Sequence, residues 1–200
     1  MKNDRRFIKT ENQILTVFSI LLNEKGFNHL TVKDIADRAN INRATFYQHY
    51  TDKYQLMEAC TDHFLRDANQ FVQLMMAVDI RTVSASDQLL PGFIELLNYY
   101  KDNRLLLLGL LESGENASLY NRLMNGAQEH LQQILQNQFG GNVAYPMRYI
   151  TAYLLSAHFN VMIEWLRGGA VESVEEIAEL ITHLTLHGAI RGLNLDEKKL

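Results

Sequence analysis

The residues able to do chemistry are concentrated between Leu30 and Lys53, in the stretch LTVKDIADRANINRATFYQHYTDK. The chain has no HExxH, no glycine-rich phosphate loop, and no Ser or Cys nucleophile with a recognisable partner motif, so no catalytic centre is visible. What this stretch offers is recognition. Thr31, three residues before Asp34, has the form of a capping box and opens a helix with Val32, Ile35, Ala36 and Ala39 on one face. Asn42 caps a second helix, with Ile41 before it and Phe46 inside it as a hydrophobic staple. Asp52 caps a third, with Gln55 three residues later. Only Asn40 to Asn42 separate the first two, which forces a sharp crossing. That is the helix-turn-helix geometry, in which the second helix enters a DNA major groove.

In that geometry Arg43 lies in the first turn of the second helix, where a guanidinium can bond bidentately to guanine O6 and N7. Ala44 and Thr45 are small enough to let the helix approach, and a methyl of either can touch thymine. Lys53 lies at a helix N-terminus, where backbone N–H groups already favour an anion. Arg43 has no apolar partner at useful spacing, which leaves solvent or DNA as its surroundings. Tyr47 and His49 have the alternative of packing the head, Thr31 can be a cap alone, and Phe46 is core.

These residues need elements to position them. Ile14, Leu15, Phe18, Leu21 and Leu22 make one apolar stripe on a first helix predicted over Thr10–Lys25, ended by Gly26. The helix capped by Asp52 is the fourth. It is predicted to run towards Val78 with Leu56, Met57, Cys60, Phe64, Ala68, Phe71, Val72 and Met75 on one face, about 40 Å at 1.5 Å per residue. Beyond it Ser84, Ser86 and Asp87 can cap a start, and Pro91 fits the first turn of a fifth helix. Asn103–Ser113 is short and very apolar. Asn116–Phe139 is closed by Gly140-Gly141, Tyr145–Arg167 is stopped by Gly168-Gly169, and Ser173 with Glu176 caps a ninth helix running towards His187 or Arg191.

Composition agrees with an all-α chain. It is 47% hydrophobic and 21% charged over 200 residues, with two prolines and eleven glycines. No apolar run approaches the ~20 residues of a membrane span, and the N-terminus MKNDRRFIKT lacks the apolar stretch of a secretory signal. The single cysteine, Cys60, suits a reducing cytoplasm and fits the fourth helix as a small core residue. Residues 1–53 hold nine Lys/Arg and six Asp/Glu, net +3; residues 54–200 hold ten and seventeen, net −7; the chain carries −4. A basic head on an acidic body suits a protein that meets phosphate at one end.

The head resembles the TetR/AcrR family of bacterial transcriptional regulators. The resemblance is carried by Lys25-Gly26-Phe27, Leu30-Thr31-Val32, Ile35-Ala36, Ile41, Thr45-Phe46-Tyr47-Gln48-His49-Tyr50 and Asp52-Lys53, within about Thr10–Met57. In the body, Trp165-Leu166 before Gly168-Gly169 and then Ser173-x-x-Glu176 resembles the subgroup that includes the co-activator of dihydroxyacetone-kinase operons. The resemblance implies an all-α subunit of about nine helices. A helix-turn-helix DNA-binding domain over 1–53 is joined by the long fourth helix to a ligand-binding and dimerisation domain over 54–200.

It further implies a ligand-controlled regulator, a repressor that binds a palindromic double-stranded DNA operator as a homodimer. The subgroup offers the alternative of a co-activator or interaction protein acting through another regulator. Lys33 matches a position reaching a base edge or phosphate, and Thr31, Tyr47, His49 and Lys53 match phosphate-contacting positions. With Asn42, Arg43, Ala44 and Thr45 they make the expected DNA face. An unidentified small-molecule effector is expected in the body, and the aromatic or soft side chains Phe93, Tyr99, Tyr100, Met124, His158, Met162 and Trp165 are its candidate lining. Dimerisation is expected through the eighth and ninth helices. Neither cofactor nor metal is expected: Glu179, His183 and His187 recur at four-residue steps, but the third lies two turns from the first, too far for one ion.

Overall fold

A computed structural model describes residues 5–76, 91–113, 117–139 and 145–192. These residues form nine helices and no strand. They are α1 (Arg5–Lys25), α2 (Val32–Arg38), α3 (Arg43–His49), α4 (Lys53–Met76), α5 (Pro91–Asp102), α6 (Arg104–Glu112), α7 (Ala117–Phe139), α8 (Met147–Arg167) and α9 (Val174–Gly192). The expected caps at Ser84, Ser86 and Asp87, the closing Gly140-Gly141 and the side chains of Met75 and His187 lie outside the described residues.

Two compact units emerge. The first takes the described residues up to Asp67 and those between Asn103 and Asn121; the second takes Ala68–Asp102 and the residues from Arg122 onward. The fourth helix is thus shared between them, and so is the start of α7.

In the first unit α1 buries Ile14, Val17, Phe18, Leu21 and Leu22. It packs on α2 and on α6, and α2 packs on α3. At Gly109 of α6 the two helices approach closely: a Cβ there would lie 2.9 Å from Leu22 Cγ and Cδ2. The Asn23 side chain donates to Leu105 O at 2.6 Å across the same contact. Cys60 is buried on α4, and burial pushes its thiol up to about 12, so it is an inert core residue rather than a nucleophile.

The first helix already includes Arg5–Lys9, ahead of the apolar stripe that predicts it. Nothing in Arg5–Lys9 breaks a helix, and Phe7 finds an aromatic partner in His49 at 3.8 Å. The eighth helix starts at Met147 rather than Tyr145, because Pro146 pushes the residue before it out of helical geometry. Gly188 (φ 78°) kinks α9 near its end.

In the second unit α9 packs against both α5 and α8. The α8–α9 turn is pinned by Gly169 (φ 98°), by Ala170 donating to Trp165 O at 2.9 Å, and by the Trp165 indole donating to Glu172 O at 3.1 Å. Ser173 and Glu176 form the expected reciprocal cap, at 2.7 and 3.1 Å.

Candidate DNA-binding surface

The head's three caps are formed as side-chain bonds. Thr31 Oγ1 accepts from Asp34 N at 3.2 Å while an Asp34 carboxylate oxygen accepts from Thr31 N at 2.9 Å. Lys25 Nζ reaches the same carboxylate at 2.6 Å, tying the end of α1 to the start of α2. The lysine bond, then donation from the Thr31 hydroxyl at 2.6 Å and from the Thr31 N–H, hold the Asp34 carboxyl down at about 2. Asn42 Oδ1 accepts from Ala44 N at 2.9 Å. Asp52 Oδ1 accepts from Gln55 N at 2.8 Å, and Gln55 Oε1 accepts from Thr51 N at 2.6 Å.

Phe46 is fully buried and anchors α3, which leaves Arg43, Ala44, Tyr47 and Gln48 exposed on its outer side, with Thr45 half-buried. Arg43 Nη2 lies 3.4 Å from Tyr47 Oη, so the guanidinium and the phenol stand side by side, one turn apart. Thr31, Lys33 and Asn42 are exposed beside the two helix starts. Gln48, four residues after Ala44, shares this face; helical spacing from Ala44 is the sequence signal that finds it.

His49 and Lys53 are differently placed. The His49 ring stacks on Phe7 with planes 25° apart, and its Nδ1 is buried without a partner. Burial lowers its pKa, opposed by the charge of Glu11. Lys53 Nζ donates to the carbonyls of Phe27 (2.9 Å), Leu30 (2.9 Å) and Asn28 (3.4 Å) and sits 4.6 Å from the centroid of the Phe27 ring. An ammonium has three N–H donors. A phosphate would compete for donors that already hold the α1–α2 turn.

The candidate effector residues all lie in the second unit. Tyr100 on α5 and Met162 and Trp165 on α8 are buried; Phe93 and Tyr99 on α5, Met124 on α7 and His158 on α8 are half-buried. Phe93 and His158 come together at 6.3 Å between ring centroids, and Tyr99 lies 5.5 Å from Phe71 and 6.0 Å from Tyr100. Thr185 donates to Ile181 O at 2.6 Å, so its oxygen accepts from His158 Nε2 at 2.7 Å. Desolvation lowers the His158 pKa, which disfavours the charged ring. Among the described residues no group of three His, Cys, Asp or Glu could hold a metal ion, and no helix is long and apolar enough to cross a membrane.

A capped tri-helical head whose third helix exposes Arg43, Tyr47 and Gln48 over a buried Phe46 defines a helix-turn-helix DNA-binding protein. Residues 14–60 match the family of bacterial regulatory proteins of the TetR type, and residues 87–187 match a transcriptional regulator C-terminal region of the same family. The chain belongs to the TetR/AcrR family of transcriptional regulators.

Relatives include two proteins of Bacillus subtilis (strain 168). "Probable HTH-type transcriptional regulator YttP" is 29% identical over 99 residues, 50% of this chain and 47% of that protein. "Uncharacterized HTH-type transcriptional regulator YxbF" is 39% identical over 56 residues, 28% of this chain and 15% of that protein. The matches therefore span less than half of either relative. Among solved structures, the regulator PfmR from Thermus thermophilus has a TM-score of 0.68 at 23% identity, over 88% of this chain and 98% of that one. The corresponding values for NalD of Pseudomonas aeruginosa, secondary repressor of the MexAB-OprM multidrug efflux pump, are 0.66, 18%, 92% and 98%. For the fatty acid degradation regulator FadR from Bacillus halodurans they are 0.65, 18%, 90% and 96%. These likenesses establish the fold.

Proposed function

We propose that the chain is a ligand-controlled repressor that binds a near-palindromic operator as a homodimer, with residues 1–53 on DNA and residues 54–200 holding the effector and the dimer contact. The observation that carries this reading is the outer side of α3, where Arg43, Ala44, Tyr47 and Gln48 stand exposed over a buried Phe46. Arg43 and Gln48 read base edges, since Arg suits guanine and Gln suits adenine. Ala44 and Thr45 permit close approach. Thr31, Lys33, Asn42 and Tyr47 fix register through phosphate. His49 and Lys53 serve the same surface chiefly through the packing and the turn they hold.

The repressor sign is supported by the likeness to NalD, a secondary repressor. In the body, the half-buried Phe93, Tyr99, Met124 and His158 are the side chains with surface to give to an effector, and Tyr100, Met162 and Trp165 complete the set. FadR, a fatty acid degradation regulator, favours an apolar acyl compound.

Selection of protein-bound duplexes from random DNA tests the proposal. The expected product is a near-palindrome whose half-sites lie about one helical turn apart, ~10 bp centre to centre. Enrichment of no sequence at all would remove the DNA-reading role from α3.

A further inference from the structure

Two turns of α1 precede residue 14, where the match to the regulatory-protein family begins. They carry Arg5, Arg6 and Lys9, all exposed. We propose that these three side chains form a second DNA-contact surface, a phosphate-binding site for the backbone flanking the half-site that α3 reads. The proposal rests on the DNA-reading role of α3 and extends it beyond the helix-turn-helix.

Three ties fix this part of α1 to the reading helix. Phe7 stacks on His49, the last residue of α3, at 3.8 Å. Tyr50 Oη donates to Glu11 at 3.4 Å, and Gln13 Nε2 donates to Ala39 O at 2.7 Å, at the turn before α3. The segment therefore holds to both ends of α3, and its cations travel with that helix as it docks.

Charge points the same way. Between residues 5 and 13 the chain has three cations and one carboxylate, Glu11, which is engaged by Tyr50. The first turn of α1 contains no acidic residue and two arginines. Arg5 and Lys9, four residues apart, share one helix face with Cβ atoms about 6 Å apart. Arg6 adds a guanidinium suited to bidentate phosphate contact.

The test uses the full chain carrying R5Q, R6Q and K9Q together, with the selected operator and an unrelated duplex, over a salt series. Affinity for both duplexes should fall by the same factor. The slope of log K against log salt should weaken by about 0.9 for each phosphate no longer neutralised. Reselection should return the same base preference. Unchanged affinity and slope with unaltered helix content would overturn the proposal, and so would a loss confined to the operator.

Phe7→Ala keeps every charge but releases the stack on His49. It should weaken the slope partway and add nothing in the triple-variant background; fully additive losses would overturn the positioning of these cations by Phe7. Wild-type chain that enriches no DNA sequence defeats the DNA-reading role itself. Wild-type binding untouched by the triple change defeats only the second surface.

Discussion

Arg43 and Lys53 are both cations of the head, yet the environment of each assigns it a different task. Arg43 is exposed with Tyr47 Oη beside it at 3.4 Å, whereas Lys53 Nζ is committed to the carbonyls of Phe27, Asn28 and Leu30. Arg43→Ala should cost about 1–3 kcal/mol per half-site and relax base preference at one position, read by titration against single-base operator variants. Lys53→Met should lower head stability by about 1.5–3 kcal/mol in chemical denaturation, the range for hydrogen bonds that involve a charged group. It should leave the salt slope of DNA binding nearly intact; a slope reduced by about 0.9 would show Nζ transferring to a phosphate. The residue type at position 53 was legible, but its three carbonyl partners were not, because backbone direction in a turn leaves no periodic trace. His49 titrates with a definite sign. Its folded pKa is lowered, so the folded head binds fewer protons than the unfolded chain. Stability should hold above the unfolded value near ~6.5 and fall as pH drops through it. Melting curves between pH 8 and 5 should show that fall in the wild type and a flatter response in His49→Phe, which keeps the stack on Phe7.

At the scale of elements, caps were the most legible features, since a cap is a local contract between residues two or three apart. Thr31 with Asp34, Asn42, Asp52 with Gln55, and Ser173 with Glu176 all form the bonds their spacing implies. Packing partners were not legible. Nothing in the apolar run Leu105–Leu111 announces that α6 lies against α1, because a helix apolar on most sides carries no preferred direction. Gly109 is the residue that permits the contact, with a Cβ position 2.9 Å from two carbons of Leu22. Gly109→Ala should therefore destabilise the first unit, by about 1–3 kcal/mol as for other overpacked sites. Adding Leu22→Ala should recover part of the overpacking loss while introducing its own cavity cost, so the double-mutant cycle should show a favourable coupling. Additive effects in denaturant titrations would mean that the two helices separate freely and that Gly109 has no packing role.

At the scale of the whole molecule, the proposed homodimer needs a surface that the single chain leaves uncovered. The ninth helix spends Ile177, Ala178 and Ile181 inside its own chain, while Leu180 remains 44% exposed. The eighth buries Thr151, Met162, Ile163, Trp165 and Leu166 but leaves Tyr149 at 61% and Tyr153 at 66% exposed. Ala152, Ser156 and Ala157 lie exposed among and beyond them. Large rings next to small side chains provide the relief that a two-fold helix pair can interdigitate, and a two-fold contact uses the same patch on both subunits. Such a patch also explains why periodicity alone located α8 and α9 without saying which residues face a partner: both faces of α8 are partly apolar, and only burial separates the inner one from the outer one. A homodimer through this surface is our proposal, and it should be undone by charge placed at its centre. Ala157→Glu brings a carboxylate from each subunit into the proposed contact, at an exposed site where the single chain has room for the side chain. Sedimentation of the wild type at micromolar concentration should report a dimer, and the variant a folded monomer with unchanged helix content. On the proposed dimeric reading of two half-sites, the monomer should also lose the avidity of two heads, up to about 10²–10⁴-fold in operator affinity. A variant that stays dimeric would place the two-fold contact elsewhere, and a monomer with full operator affinity would show that each head binds alone.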